Sequence, residues 1–248
     1  MPVVKSVGAI LLMLAAAVPA PAQDELRAEL QTATQRLRAL KSYSFRVRHA
    51  IDTNLPLPAR DVNGDGRYVE SVGFHIKGGN LEMFRKNKKT TYQDADGTWQ
   101  ILGSGGGGGP GNNTAFLAAQ VREPHVEVGS AHSDIDRLEV EDSTQDIDGT
   151  DCAVFKGKLT ADAARKFTSW ADAYGSAVGG AKREGAVKIW VDDAWTIRKY
   201  ELVSRIEGSV PFNPNAFAQV TTTVTLSEQN ATELEPPSRA LDLLEGKK

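Results

Sequence analysis

The sequence predicts an α+β fold: a strongly curved antiparallel sheet of roughly nine or more strands, with helices packed on its concave face. Three observations carry this expectation. One amphipathic helical pattern opens the chain after an apolar leader. Most segments downstream alternate with a period of two, and only two further stretches return to a helical period.

The leader comes first. In MPVVKSVGAILLMLAAAVPAPAQ, Lys5 supplies a positive start, and Val7 to Val18 form an apolar run too short to span a bilayer comfortably. Ala20-Pro21-Ala22 then places small residues where a signal peptidase reads. Residues 1–22 are therefore expected to be a signal peptide and residues 23–248 a single domain in the periplasm or outside the cell. No cysteine stands at the expected new N-terminus, so no lipid anchor is expected.

From Asp24 to about Leu40, Leu26, Leu30, Ala33, Leu37 and Leu40 recur three to four residues apart, opposite Glu25, Arg27, Glu29, Arg36 and Arg38. That is a helix with one apolar face. The period then changes. In SYSFRVRHAI, Phe45, Val47 and Ile51 alternate with Arg46, Arg48 and Ala50, as in a half-buried strand.

Strands and turns follow: SVGFHIK, a GGN turn, NLEMFRKN, then DADG between two strand-like arms. RLEVED, CAVFKGKL, AVKIWVD, IRKYELVSRI and QVTTTVTL continue the pattern. Two interruptions break it. The glycine-rich stretch 103–113 reads as a flexible loop leading into a short helix, TAFLAAQVREPH, that stops before Pro124. The second, LTADAARKFTSWADAYGSAVGG, is a helix capped by Thr160 and carrying Ala164, Phe167, Trp170, Ala171 and Tyr174.

Composition narrows the function. A formal net charge of −3, falling to −4 once Lys5 leaves with the leader, lacks the basic excess of a nucleic-acid binder. Cys152 is the only cysteine, so no internal disulfide or thiolate metal site can form. A chain of 248 residues is long enough to bury a substantial core.

DVNGDG at 61–66 places Asp61, Asn63 and Asp65 like the first ligands of a calcium loop. The flanks contradict that reading. Pro56 and Pro58 bar a helix before it, Val72 occupies the twelfth position where a bidentate carboxylate belongs, and Glu70 stands two places early. Asn-Gly and Asp-Gly favour a tight turn, with weak calcium binding as the alternative and no metal site assigned.

No catalytic constellation emerges either. His49, His75, His125 and His132 are scattered, and SAHSD at 130–134 reads as a solvated loop rather than a triad. The glycine run 105–109 lacks the Lys-Ser/Thr of a phosphate loop, and Asp192-Asp193 reads as a turn between strands. RKNKK at 85–89 reads as a charged hairpin tip. The expectation is a protein that is no enzyme and needs no cofactor.

What the pattern offers instead is a concave apolar chamber. Phe45, Val47, Phe74, Ile76, Leu81, Met83, Ile189, Val191, Tyr200 and Leu202 are the candidates to line it, unless they pack as a dry core. Trp99, Trp170, Trp190 and Trp195 are natural reporters of ligand entry.

The order and local texture of the segments resemble the bacterial lipoprotein-carrier superfamily typified by LolA and LppX. The resemblance runs through LKSYSFRVR, DADGTWQIL, DIDGTDCAVFKGKLT, VKIWVDDAWTIRKYELVSR and TTTVTLSEQNATELEPPSRA, then LDLLE at the end. It implies an incomplete β-barrel wrapped around helices, an apolar cavity for acyl chains, a mobile lid and a short terminal helix. It also implies partners: lipid or acylated protein, with a membrane-bound donor or acceptor. No functional residue is carried over from the family. The function expected is a soluble periplasmic carrier of lipid or lipoprotein acyl chains. The alternative is an envelope interaction or stress-sensing module, since the sensor RseB uses a similar half-barrel.

Overall fold

A computed structural model describes residues 20–55, 61–79, 81–103, 113–167, 179–210 and 213–247. The first half runs α1 (Ala20–Ala39), β1 (Ser42–Thr53), β2 (Val62–Val69), β3 (Gly73–Gly78), β4 (Leu81–Lys86), β5 (Lys89–Gln93) and β6 (Trp99–Ile101). Next come α2 (Asn113–Gln120), α3 (Pro124–Ser133), β7 (Ile135–Val140), β8 (Gln145–Ile147), β9 (Thr150–Leu159) and α4 (Ala161–Phe167). The chain closes with β10 (Gly179–Val191), β11 (Ile197–Val210), β12 (Asn213–Ser227) and α5 (Ser238–Glu245).

The strands form one antiparallel sheet in the order β6-β5-β4-β3-β2-β1-β12-β11-β10-β9-β7, with β8 sharing the outer edge of β9. From β1 to β6 and from β9 to β12, strands adjacent in the chain pair in the sheet. At the centre β1 pairs with β12 in the register Val47↔Val224, and β6 and β7, consecutive in the chain, lie at opposite ends. The two end strands do not meet, so the sheet is an open, curved half-barrel with helices laid on it.

Burial alternates along the long strands, most cleanly in β11 and β12. One face carries the main core, which the helices complete with Leu30, Ala33, Leu37, Leu117 and Val128, and the α2–α3 link with Val121. The opposite face holds a small separate cluster of Cys152, Val154 and Trp190.

The expected apolar stripe of α1 is in place: Leu30, Ala33 and Leu37 are buried, with Leu26 and Leu40 packed at the margin. Each fully buried leucine contributes about 1.5–3 kcal/mol. The same helix protects a sheet edge. The Gln23 amide accepts from Leu138 N–H at 3.0 Å and donates to Leu138 C=O at 2.7 Å, so β7 finds a side-chain partner where the next strand would lie. Arg27 adds bonds to the carbonyls of Ile135 and Asp136 at 2.9 and 2.7 Å.

Two sequence expectations need correction. DVNGDG is neither a turn nor a calcium loop, because Val62 to Gly66 form the first half of β2. Asn63 and Asp65 alternate with Gly64 and Gly66, facing solvent opposite Arg48 and Arg46 of β1. Extended spacing strings the carboxylates along one face instead of folding them around an ion. Among the described residues no group of three metal-ligating side chains gathers.

The glycines face inward, where a Cβ on Gly66 would fall 1.9 Å from the Phe45 ring. They are vacant positions that let the Phe45 ring lie across the sheet.

SAHSD is not a solvated loop. Ser130 to Ser133 end α3, and Ala131 is fully buried. Its Asp134 pairs with Lys166 at 2.8 Å, away from any triad geometry. The helix expected to stop before Pro124 is followed at once by α3, with Pro124 in its first turn, a position that tolerates the missing N–H. The leader through residue 19, most of the glycine-rich stretch, and Trp170, Ala171 and Tyr174 lie outside the described residues.

Candidate functional site on the concave face

The ten residues proposed as chamber lining are brought together. Phe45 and Val47 on β1, Phe74 and Ile76 on β3, Leu81 and Met83 on β4, Ile189 and Val191 on β10, and Tyr200 and Leu202 on β11 belong to one contiguous buried cluster. Register explains the meeting: Ile76 stands opposite Met83, and Ile189 stands opposite both Phe155 and Tyr200. The Phe45 and Phe74 rings stack in parallel at 5.4 Å across the Gly66 gap.

The same cluster contains the inward side chains of α1, α2 and α3. Much of the chamber floor is thus covered by the protein's own helices. Phe74 and Val191, both buried, each border one of two cavities.

The first cavity, about 530 Å³, lies at the end of the sheet beside α1. Val140, Ala153, Phe155, Val191 and Trp195 form its apolar wall, and Glu29, Asp151 and Asp193 contribute carboxylates. Asp192 is also there, but it is structural. Its carboxylate accepts from Ala194 N–H at 3.0 Å, Thr196 N–H at 2.8 Å and Arg198 Nε at 2.7 Å. Burial alone would raise its pKa, yet the Thr196 and Arg198 bonds hold it below the usual range. These bonds fix the β10–β11 turn in which Trp195 takes a left-handed backbone, φ 58°. The indole is thereby placed at the cavity.

The second cavity, about 620 Å³, opens between the N-terminal end of α3 and the β2–β3 and β4–β5 turns. Phe74, Tyr68 and His125 supply aromatic surface, and Tyr68 lies 4.7 Å from the His125 ring. Arg85 and Glu123 form a half-buried ion pair on its wall at 3.0 Å.

Between the cavities, α3 is held down by polar contacts that sequence reasoning missed. The Tyr43 hydroxyl meets His125 Nδ1 at 2.7 Å, and the Tyr200 hydroxyl donates to Glu127 Oε2 at 2.7 Å. Arg85 also donates to the carbonyl of Val121 at 2.9 Å, satisfying backbone between α2 and α3.

Burial pushes the Glu127 carboxyl up to about 7, against the Tyr200 bond and the Arg122 charge that oppose the rise. Burial likewise raises both tyrosines and lowers His125. No sequence signal marked these pairs, because His125 and Glu127 belong to a helix whose existence was not foreseen.

No protein-family model matches this chain, and no curated protein matches it in sequence. Solved structures do. LprF from Mycobacterium bovis superimposes with a TM-score of 0.50 at 17% identity, covering 90% of this chain and all of that one, at 100%. The protein has the LprF fold. The fold expected from the sequence resemblance is therefore met, and at this identity the likeness to LprF is one of fold.

The lipoprotein LppX from Mycobacterium tuberculosis gives 0.49 at 14% identity, covering 87% of this chain and 99% of its own. A putative outer membrane lipoprotein-sorting protein domain from Vibrio parahaemolyticus gives 0.34 at 11% identity, covering 90% and 99%.

Proposed function

We propose that this protein is a non-enzymatic binder and carrier of acyl chains, receiving lipid or an acylated protein against its concave face. It would act in the periplasm after loss of the leader. One observation carries the reading. The apolar face of the half-barrel emerges into the 530 Å³ cavity beside α1, where Val140, Ala153, Phe155, Val191 and Trp195 continue the buried surface into reachable space.

A cavity walled this way suits an alkyl chain, because each methylene buried is worth about 0.8 kcal/mol without any polar partner. The LprF fold supplies the frame, and no described helix is long and apolar enough to cross a membrane.

The test is gentle purification of the full chain from its envelope fraction, followed by native mass spectrometry and organic extraction. A stoichiometric acyl adduct supports the reading and names the ligand class. A clean apo mass, together with no uptake of an uncharged fluorescent acyl probe, overturns it. The half-barrel would then be an envelope interaction module.

A further inference from the structure

The β4–β5 turn carries an arrangement that the fold does not need. Lys86 and Lys89 stand directly opposite one another in the strand register, and Lys88 sits between them with a left-handed backbone, φ 65°. Like charges held opposite across a hairpin destabilise it. Among the described residues no carboxylate lies within ion-pair distance of any of the three. Glu245, whose carboxyl senses Lys86 at longer range, is already bonded to Lys247 at 2.6 Å.

The adjoining cavity sharpens the imbalance. Its two carboxylates are both neutralised, Glu70 by Lys41 at 2.7 Å and Glu123 by Arg85 at 3.0 Å. The lysines are left as uncompensated positive charge on a chain whose formal net charge is −3. On the same rim, Val126 is 43% exposed, the one large hydrophobic side chain so exposed among the described residues.

We infer that this rim is a docking surface for an anionic phospholipid bilayer, with Lys86, Lys88 and Lys89 meeting headgroups and Val126 entering the interface. Charge complementarity selects a negative partner. Lysines are flexible point charges suited to a fluid layer of phosphates, whereas a fixed acidic protein surface favours the planar fork of arginine. The one arginine at the rim is occupied by Glu123 and Val121. For its purpose, though not for its geometry, the inference rests on the acyl-carrier reading, since a carrier must meet the membrane that supplies or receives its cargo.

Co-sedimentation of the full chain with sucrose-loaded vesicles tests it, comparing phosphatidylglycerol mixed into phosphatidylcholine with pure phosphatidylcholine. The wild type is expected to bind the anionic vesicles and to release as salt rises. K86E/K88E/K89E should bind at least about 100-fold more weakly, each lysine near an anionic surface being worth about tenfold or less and reversal adding repulsion. V126D should weaken binding, and all variants should keep the wild-type circular dichroism and acyl-probe uptake.

Equal binding to neutral vesicles, no binding at all, or an unaffected triple variant would overturn the inference. So would an acidic polypeptide that competes at lower charge concentration than the vesicles, which would make the partner a protein. Vesicle binding with no acyl uptake would instead sink the carrier reading and leave this surface standing.

Discussion

The Tyr200 phenol donates a 2.7 Å hydrogen bond to the Glu127 carboxylate, and both side chains are buried between β11 and α3. A carboxyl in that position is easier to keep protonated than ionised, which is why burial takes Glu127 to about 7. Folding therefore favours proton uptake there, and this group makes stability depend on pH.

The sign follows from linkage. The unfolded chain would titrate Glu127 near 4.5, so between that pH and 7 the folded state holds the extra proton. Its contribution is complete below pH 4.5 and is lost as pH rises through 7. The size is about 3 kcal/mol. Glu127→Gln keeps an acceptor for Tyr200 and removes the titration. Urea unfolding at pH 4.5 and 8 should show the variant gaining about 3 kcal/mol relative to wild type as pH rises. A difference that stays constant with pH would show that Glu127 titrates normally.

His49 pulls the other way. Its Nδ1 meets Thr222 Oγ1 at 2.8 Å, and burial pushes its pKa down to about 4 despite the opposing charge of Asp61. The unfolded chain binds the proton first, so this stabilisation is present above pH 6.5 and is lost as pH falls through 4. His49→Gln should remove a loss of about 3 kcal/mol on acidification. His75, His125 and His132 are also lowered by burial and act with the same sign. Over the shared window the two effects oppose, so Glu127→Gln should make stability rise more steeply with pH, and His49→Gln should tilt the curve the other way. If both variants simply parallel the wild type, the linkage argument fails.

Gly66 and Phe45 give a test of packing alone. A Cβ at Gly66 would sit 1.9 Å from the Phe45 ring, so Gly66→Ala must displace the ring and disturb its stack on Phe74. Overpacking of this kind costs about 1–3 kcal/mol. In a Phe45→Ala background the same glycine substitution should be close to neutral, giving a coupling energy above about 1 kcal/mol. Thermal or urea unfolding of the four proteins decides it, and additive effects would mean the ring escapes without strain.

What the sequence made legible was whatever rests on period. The stripe Leu26-Leu30-Ala33-Leu37-Leu40 and the alternation in QVTTTVTL depend only on which face a residue occupies. The ten chamber candidates fall in one buried cluster for the same reason, since alternate residues on paired strands must share a face.

DVNGDG misled because local turn chemistry is strong while the need for vacant positions beneath Phe45 is a tertiary matter. The interactions holding α3 were invisible for a related reason. Arg85 and Glu123, or Tyr200 and Glu127, lie 38 and 73 residues apart and carry no shared pattern. Whether an apolar face is open or covered also depends on where the helices settle, which periodicity does not record.

The cavity beside α1 supplies the most direct test of the acyl-chain reading. Ala153 lies opposite Val191 on neighbouring strands, and both border the 530 Å³ space with Trp195. Ala153→Phe should occupy that space instead of displacing packed neighbours, since Ala153 is only partly buried. Stability should stay within about 1 kcal/mol of wild type, while affinity for an uncharged fluorescent acyl probe should fall at least about tenfold, the equivalent of fewer than two buried methylenes.

The tryptophans provide an independent readout. Trp195 borders the cavity, whereas Trp190 lies in the cluster on the opposite face, beneath the Lys199 ammonium at 4.5 Å from its ring. Probe binding should therefore change the emission of Trp195, and Trp195→Phe should remove most of that change while Trp190→Phe preserves it. Full probe affinity in Ala153→Phe, with the emission change intact, would place the acyl chain elsewhere in the half-barrel and remove the observation on which the proposed function rests.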